Sequence, residues 1–307
     1  MRTSSSTPVS QRLLAISPGK ALFLLLCIWL LCFIIISVAN GFIMYRFPES
    51  SKAMRICAVF QDLMVFIVPS LVTAMLATRL PANLLALNTK TRFDTIFLAF
   101  ATLMVAMPAL NLVIYLNMQM KLPEAMSGIE HWMTQAEKGA AENIGLVLGG
   151  AGIGDLILSF LLVGVLAGFS EELFFRGALQ RIIAQSRISP HAAIWIAAFI
   201  FSAIHLQFYG FFPRLLLGAF FGYLLYWSGT IWLPVFAHIA NNSVYVIYRW
   251  IQLQHSSVPV TENTLPEIDT MFYIAAAVSL VFTIIGLYLV RRSATSGKNL
   301  FKKQQLS

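Results

Sequence analysis

The sequence predicts an all-α fold: a polytopic membrane bundle of about eight transmembrane helices. Of the 307 residues, 58% are hydrophobic and only 11% are charged, whereas soluble domains carry about a quarter charged residues. The apolar residues also fall into runs close to the ~20 residues that a helix needs to cross a bilayer. Three of these runs carry patterns of Glu, Arg or His, and ionisable side chains are costly inside a membrane and therefore indicate a function there.

Eight apolar runs are candidate spans, and they lie at 21–44, 56–78, 94–117, about 145–185, 191–208, 213–229, 231–250 and 271–290. The fourth run is long enough for one tilted helix that extends beyond the bilayer, or for two helices broken near Gly168. Ser189 and Pro190 provide an N-cap and a first-turn proline for the fifth helix. Gly218 and Gly222 have the spacing that lets the sixth helix approach a neighbour closely.

Lys and Arg are concentrated at alternating ends of these runs, and this placement predicts the orientation. With eight spans, both termini lie in the cytosol, and the chain is a multi-pass protein of the plasma (inner) membrane. The loop 251–270 has three acidic residues and no Lys or Arg, as expected on the outer side. The first loop is an exception, because Arg46, Lys52 and Arg55 would lie outside.

Four regions follow from these runs. Residues 1–20 form a cytosolic N-terminal tail, 21–150 the N-terminal transmembrane helices, 151–250 a catalytic core, and 251–307 an outer loop, the last transmembrane helix and a basic cytosolic tail. The first apolar run is too long for the core of a signal peptide, so we expect an uncleaved span. Within the second region, 118–143 predicts an amphipathic helix at the outer surface.

Composition also limits the partners and the chemistry. The formal net charge of +8 comes from loops and tails, which favours contact with anionic lipid and argues against nucleic acid. The three cysteines have neither the spacing of zinc ligands nor a convincing disulfide partner. Asp155, near the outer end of the fourth run, is expected to be solvated.

The fourth run carries the pattern Glu171-Glu172-x-x-x-Arg176. Glu172 and Arg176 share a helix face and can pair, which lowers the cost of burying both charges. Glu171 points about 100° away, lacks that partner and is a candidate general base for water. The alternative is a structural ion pair with a contact to a lipid headgroup.

Two further patterns each place a histidine in an apolar run. In Phe201-x-x-x-His205, the phenyl ring can form the wall of a pocket that contains the imidazole. In His238-x-x-x-Asn242, two polar groups on one face can stabilise an oxyanion or bind a metal. The alternatives are a packing histidine in the first case and an interhelical hydrogen-bond clamp in the second.

Taken in order, Glu-Glu-x-x-x-Arg, Phe-x-x-x-His and His-x-x-x-Asn resemble the CPBP intramembrane protease family. This is the CAAX protease and bacteriocin-processing group, also called Abi, whose eukaryotic relatives are the type II CAAX prenyl endopeptidases. The surrounding GFSEELFFRGALQRI and LLLGAFFGYLLYWSGTIWLPVFAHIANNS are similar too, so the resemblance covers roughly 168–245. It implies an eight-helix bundle with a conical cavity open to the cytosol and the bilayer.

The resemblance also implies roles for individual residues. Glu171 with His205 would activate water, and His238 with Asn242 would stabilise the tetrahedral oxyanion. The catalytic set is then Glu171, Glu172, His205, His238 and Asn242, with Arg176 and Phe201 at the substrate. A divalent metal, zinc above all, would bind to Glu171, His205 and His238, or the family chemistry would use the glutamate without metal. The HExxH pattern of soluble zinc proteases is absent from the sequence.

The function predicted is that of an intramembrane endopeptidase acting on a protein or peptide near the cytosolic face. An ion-coupled transporter that uses the same charges as a proton relay is one alternative, and a non-catalytic membrane scaffold is another. One geometric conflict remains. His205 lies ~20 Å along its helix from residue 191, but His238 only ~10 Å from residue 231. For the two to meet, the fifth helix must tilt strongly or begin in the cytosol.

Overall fold

A computed structural model describes residues 13–255 and 268–304, with side chains up to residue 296. Within these ranges all regular structure is helical, as the sequence predicts. The predicted N-terminal tail up to residue 12 and most of the predicted outer loop, with Glu262 and Glu267, lie outside the described residues.

Nine main helices make up the described part of the chain. They are α1 (Pro18–Arg46), α2 (Ser51–Ala77), α3 (Phe93–Met118), α4 (Ser127–Leu148), α5 (Ile153–Ala184), α6 (Pro190–Ala203), α7 (Phe211–Ser228), α8 (Trp232–His255) and α9 (Thr270–Gln304). Single helical turns at Pro81–Leu84, Glu124–Met126 and Phe208–Gly210 occupy the connections. Ser17, Ser50 and Ser189 cap α1, α2 and α6, because each side chain accepts a hydrogen bond from a first-turn N–H.

Six of the described helices are long and apolar enough to cross a membrane: α1, α2, α3, α5, α7 with its preceding turn, and α9. The chain is therefore a multi-pass membrane protein. Helix α6 has 14 residues and is shorter than a span, and α8 has 24 residues but carries several polar side chains. Each of the eight predicted runs contains a helix, but eight spans remain a prediction.

Helix α5 settles the alternatives for the fourth run. It is continuous from Ile153 to Ala184 and passes through Gly168 without a break. It begins later than the predicted residue 145, because Gly149, with a φ of 72°, ends α4. A Cβ at Gly168 would lie 3.1 Å from the backbone N of Ile239, so this glycine lets α5 approach α8 closely.

Three stretches of the long helices are π-helical: Asp62–Ile67 in α2, and Phe160–Ala167 and Leu173–Gln180 in α5. In a π-helix each hydrogen bond spans one more residue, so the side chains are re-aimed and regular bonding is interrupted; such segments are frequent at functional sites. The two segments in α5 flank the short α-helical stretch Gly168–Glu172, which carries both predicted glutamates.

The first-loop exception has a local cause. Arg55 donates hydrogen bonds to the carbonyls of Val147 and Leu148, and its Nη2 lies 2.6 Å from Asp155 Oδ1. These contacts join α2 to the end of α4 and the start of α5. Asp155 lies near the start of α5 with its side chain 31% exposed, so it keeps contact with solvent as predicted. The sequence did not predict that it is also ion-paired.

Helix α4 confirms the helix predicted in 118–143, although it extends further, to Leu148. Its Trp132 ring lies 5.4 Å from the ring of Phe208, and its Thr134 hydroxyl lies 3.4 Å from that of Tyr209. The helix thus packs against the turn before α7. Its position at the membrane surface stays a prediction.

Two apolar clusters lie on either side of α5. One joins α1, α2, α5 and α6 around Phe174 and Phe175, and the other joins α3, α7, α8 and α9 around Phe221. Gly218 and Gly222 confirm the predicted close approach: an added Cβ would lie 3.1 Å from Ala198 Cβ in the first case and 2.8 Å from Ile194 Cγ2 in the second. This close packing brings α6 and α7 together beside the polar residues of α5.

Candidate active site

The predicted ion pair forms in the core of the protein. Arg176 Nη1 donates to Glu172 Oε1 at 2.8 Å, and both side chains are 0% exposed. Arg176 Nη2 also donates to the carbonyl of Gly218 at 2.9 Å. The guanidinium lies over the rings of Phe201 and Phe221, at 4.6 and 5.4 Å from their centroids. Because Arg176 is enclosed, its predicted role at the substrate would require the site to rearrange.

His238 reaches the same carboxylate oxygen from α8. Its Nδ1–H donates to Glu172 Oε1 at 2.8 Å. The ring stacks on Phe221 at 4.8 Å and lies nearly perpendicular to Phe201. A carboxylate on one imidazole nitrogen fixes both the tautomer and the direction of the other nitrogen. Glu172 therefore aims His238 Nε2.

Glu171 lies on the other side of that imidazole. Its Oε2 is 3.8 Å from His238 Nε2, and its side chain is 14% exposed. The two adjacent glutamates thus point in different directions, as the helix geometry predicts. A separation of 3.8 Å is longer than a direct hydrogen bond and suits two groups that act on one bridging molecule.

His205 lies in the loop after α6, which ends at Ala203; the sequence-based expectation of a helix to residue 208 is wrong. Its Nδ1–H donates to the carbonyl of Phe201 at 2.7 Å, and the two rings lie 5.0 Å apart. His205 is within electrostatic range of Glu171 and His238. The predicted conflict in depth is resolved because α6 is short and Phe201 contacts both imidazoles.

Both the amide nitrogen and the amide oxygen of Asn242 make hydrogen bonds within the protein. Its Nδ2 donates to the carbonyl of Val163 at 2.9 Å, and its Oδ1 accepts from Asn241 at 3.2 Å. Val163 belongs to the π-helical segment Phe160–Ala167, where regular hydrogen bonding is interrupted. The interhelical clamp is thus present, and the role at an oxyanion stays a prediction that depends on the second Nδ2 hydrogen.

No sequence motif marks Asp62, which also lies at the site. This buried carboxylate begins the π-helical segment of α2 and lies close to the Ser170 hydroxyl and within electrostatic range of Glu171. A single carboxylate inside the apolar run 56–78 was the available signal, because such residues are rarely kept without a use.

The predicted zinc ligands are not gathered into a ligand set. Among the described residues, no group of three or more His, Cys, Asp or Glu side chains is placed to hold a metal ion. Glu171 Oε2 and His238 Nε2 approach to 3.8 Å, but His205 does not join them in a three-residue ligand set. The residues as placed do not fit the metal, and zinc stays a prediction.

Residues 153–244 match the family model described as "Type II CAAX prenyl endopeptidase Rce1-like". This match confirms the resemblance to the CAAX protease family that the three motifs indicate. A Bacillus subtilis (strain 168) protein named YpbD, described as uncharacterized, is 28% identical over 85 residues, which are 26% of this chain and 40% of that protein. The chain thus spans about 40% of the length of this relative. No solved structure matches it.

Proposed function

We propose that this chain of the CAAX protease family is an intramembrane endopeptidase that hydrolyses a peptide bond in a protein or peptide substrate. The observation that supports the proposal is the gap of 3.8 Å between Glu171 Oε2 and His238 Nε2. A carboxylate and an imidazole nitrogen that face one small polar space can hold a water molecule between a base and a second proton-carrying group.

Glu171 is the proposed base. It takes a proton from water, whose oxygen then attacks the carbonyl carbon of the scissile bond. In the same step the carbonyl oxygen gains negative charge, and a protonated His238 can donate to it from Nε2. Glu172 stabilises that imidazolium through Nδ1, as a carboxylate does in other hydrolytic sites.

His205 completes the proposed cycle. Its Nδ1 is committed to the carbonyl of Phe201, so Nε2 is the nitrogen left for a substrate. From there His205 can take up the proton that Glu171 accepted from water and pass it to the departing amine when the carbon–nitrogen bond breaks. The second Nδ2 hydrogen of Asn242 is available to the oxyanion if the substrate carbonyl approaches α8.

Surrounding aromatic side chains favour this chemistry. Phe201 and Phe221 cover His238 on two sides, and they exclude water that would weaken the electrostatic interactions. We propose that the substrate enters from the bilayer or the cytosol and that both termini face the cytosol, as the Lys and Arg placement predicts.

The proposal is tested with Glu171→Gln in purified protein in lipid nanodiscs. The probe is a library of lipidated and unmodified peptides, with cleavage and incorporation of ¹⁸O from labelled water read by mass spectrometry. Loss of a general base lowers the rate by ~10²–10⁴-fold. Glu142→Gln is the matched control, because Glu142 is exposed in α4 and pairs only loosely with Lys138, at 3.9 Å. Equal cleavage by the wild type and Glu171→Gln would refute the role.

Metal dependence is tested in the same assay. The proposed steps use only side chains of this chain, so we expect cleavage to survive treatment with a chelator and the purified protein to hold less than one equivalent of zinc. A stoichiometric metal whose removal abolishes cleavage would instead show that Glu171, His205 and His238 rearrange around an ion.

A further inference from the structure

The loop that carries His205 has an uncommon backbone. Leu206, directly after the histidine, has a φ of 54°, in the left-handed region that is unfavourable for a residue with a Cβ. Such a conformation persists where the surroundings impose it, and it is concentrated at functional sites. The contacts around the loop should therefore show what holds it.

Arg214 of α7 makes the most direct contacts to this loop. Its Nη1 donates to Gln207 Oε1 at 2.6 Å and its Nη2 donates to the carbonyl of Gln207 at 2.5 Å. One planar guanidinium thus binds the side chain and the backbone of the residue two positions after His205, and a lysine could not reproduce both bonds in this geometry. Gly210 leaves room for it, because a Cβ there would lie 2.5 Å from Arg214 Nη2.

Helices α3 and α6 fix the end of the same loop. Asn117 of α3, a buried residue, donates from Nδ2 to the carbonyl of Phe208 at 3.0 Å and accepts from the N–H of Phe212 at 3.0 Å. The hydroxyl of Ser202 donates to the carbonyl of Phe211 at 2.6 Å. These bonds order the turn into α7. Next to His205, the N–H of Leu206 donates to the carbonyl of Ala203 at 3.2 Å, and Arg214 holds the following residue, Gln207.

The charge of Arg214 also belongs to the site. The guanidinium is within electrostatic range of Glu171, the proposed base, and of Glu137 in α4. It is also within electrostatic range of His205. Arg214 thus contacts the loop that carries His205 and also lies near the carboxylate of Glu171. None of the three sequence motifs includes this residue.

We propose that Arg214 is a positioning residue: through Gln207 it holds the left-handed loop that aims His205 at the substrate. This inference rests on the proposed endopeptidase function. Arg214 and Gln207 together form the Arg214 clamp. Without the clamp, the loop relaxes towards ordinary backbone angles and His205 moves away from Glu171.

The test uses Arg214→Met in full-length protein in nanodiscs, with two readouts. Amide hydrogen exchange of peptides covering 204–210 should become about tenfold faster. The kcat for the peptide library should fall ~10- to 100-fold with little change in KM, because a small misplacement of a catalytic group has that effect. Arg249→Met is the matched control: Arg249 also donates to a glutamine, Gln252, at 3.2 Å, but at the far end of α8.

Two further variants separate positioning from general stability. Gln207→Ala removes only the side-chain acceptor, so its effect should be smaller and should not add to that of Arg214→Met, since both break the same contact. In a His205→Ala background, Arg214→Met should lower the residual rate far less than it lowers the wild-type rate, and the remaining effect reflects the lost positive charge near Glu171.

Each result has one meaning. Unchanged exchange of 204–210 in both Arg214→Met and Gln207→Ala overturns the inference, as does faster exchange with wild-type kcat or a full further loss in the His205→Ala background. A wild type that cleaves nothing contradicts the proposed function, while faster exchange in Arg214→Met would still support the clamp.

Discussion

The two sides of the candidate site are built differently. The inner cluster, Glu172, Arg176 and His238, is buried and has polar contacts from α5, α7 and α8. In the outer pair, the Glu171 side chain is 14% exposed, and His205 sits on a loop rather than a helix. The inner cluster thus fixes directions, and the outer pair is left free to react. Substitutions should reveal the difference as lost stability on one side and lost activity on the other.

The largest effect on stability is expected at Arg176. In Arg176→Met the Glu172 carboxylate loses its cation inside the core, and breaking a buried pair costs ~3–5 kcal/mol. Reversible unfolding in mixed micelles measures this change. Arg92→Met is the matched control, because Arg92 pairs with Asp94 at the exposed start of α3; it should leave the unfolding transition nearly unchanged. Similar losses in both variants would remove the distinction between the inner cluster and an ordinary ion pair.

Asn242→Ala tests whether Asn242 of α8 only stabilises the fold or also takes part in catalysis. Loss of the bond to Val163 leaves a buried carbonyl unpaired, which costs ~1–3 kcal/mol. If Asn242 also donates to the oxyanion, kcat falls by ~10²–10³-fold. We expect both effects. Asn241→Ala removes only the donor to Asn242 Oδ1. It should therefore lose less stability than Asn242→Ala and should keep the wild-type kcat. A stable Asn242→Ala variant with wild-type kcat would contradict both roles.

The smallest effect is expected at the helix contact behind the inner cluster. Gly222→Ala places a methyl group 2.8 Å from Gln180 Oε1, and such overpacking costs ~1–3 kcal/mol. Gly145→Ala in α4 is the control, since nothing lies within 4 Å of its added Cβ; alanine should there raise stability by ~0.5–1 kcal/mol. Unfolding free energies of the two variants should therefore change with opposite signs.

Local spacing was enough to predict the ion pair of the inner cluster. The i,i+4 relation of Glu172 and Arg176 predicts their pairing, and the 100° step predicts that Glu171 points elsewhere. The shared motifs also predict that His238 lies near these residues. The spacing could not predict that Arg176 and His238 donate to the same oxygen of Glu172. That contact requires α8 to approach α5, which depends on packing at Gly168.

The outer side was harder to predict because its determinants are not local. The segment FSAIHLQF contains neither Gly nor Pro, so no sequence signal predicts that α6 ends before His205. The turn is imposed by Arg214 and Asn117, which come from other helices. The three π-helical segments are equally hidden, because they follow no hydrophobic period. Asp62 was visible as a charge in an apolar run, but no motif marked its approach to Glu171.

The most direct test compares Glu171→Gln with Glu172→Gln in one preparation, measuring both peptide cleavage and unfolding. The two residues are adjacent and the substitutions are identical, so only their surroundings differ. We predict that Glu171→Gln keeps wild-type stability and loses cleavage, whereas Glu172→Gln lowers stability because Arg176 and His238 lose a charged acceptor. An active Glu171→Gln protein, or a Glu172→Gln protein as stable as the wild type, would contradict the division of the site into a fixed inner cluster and a reactive outer pair.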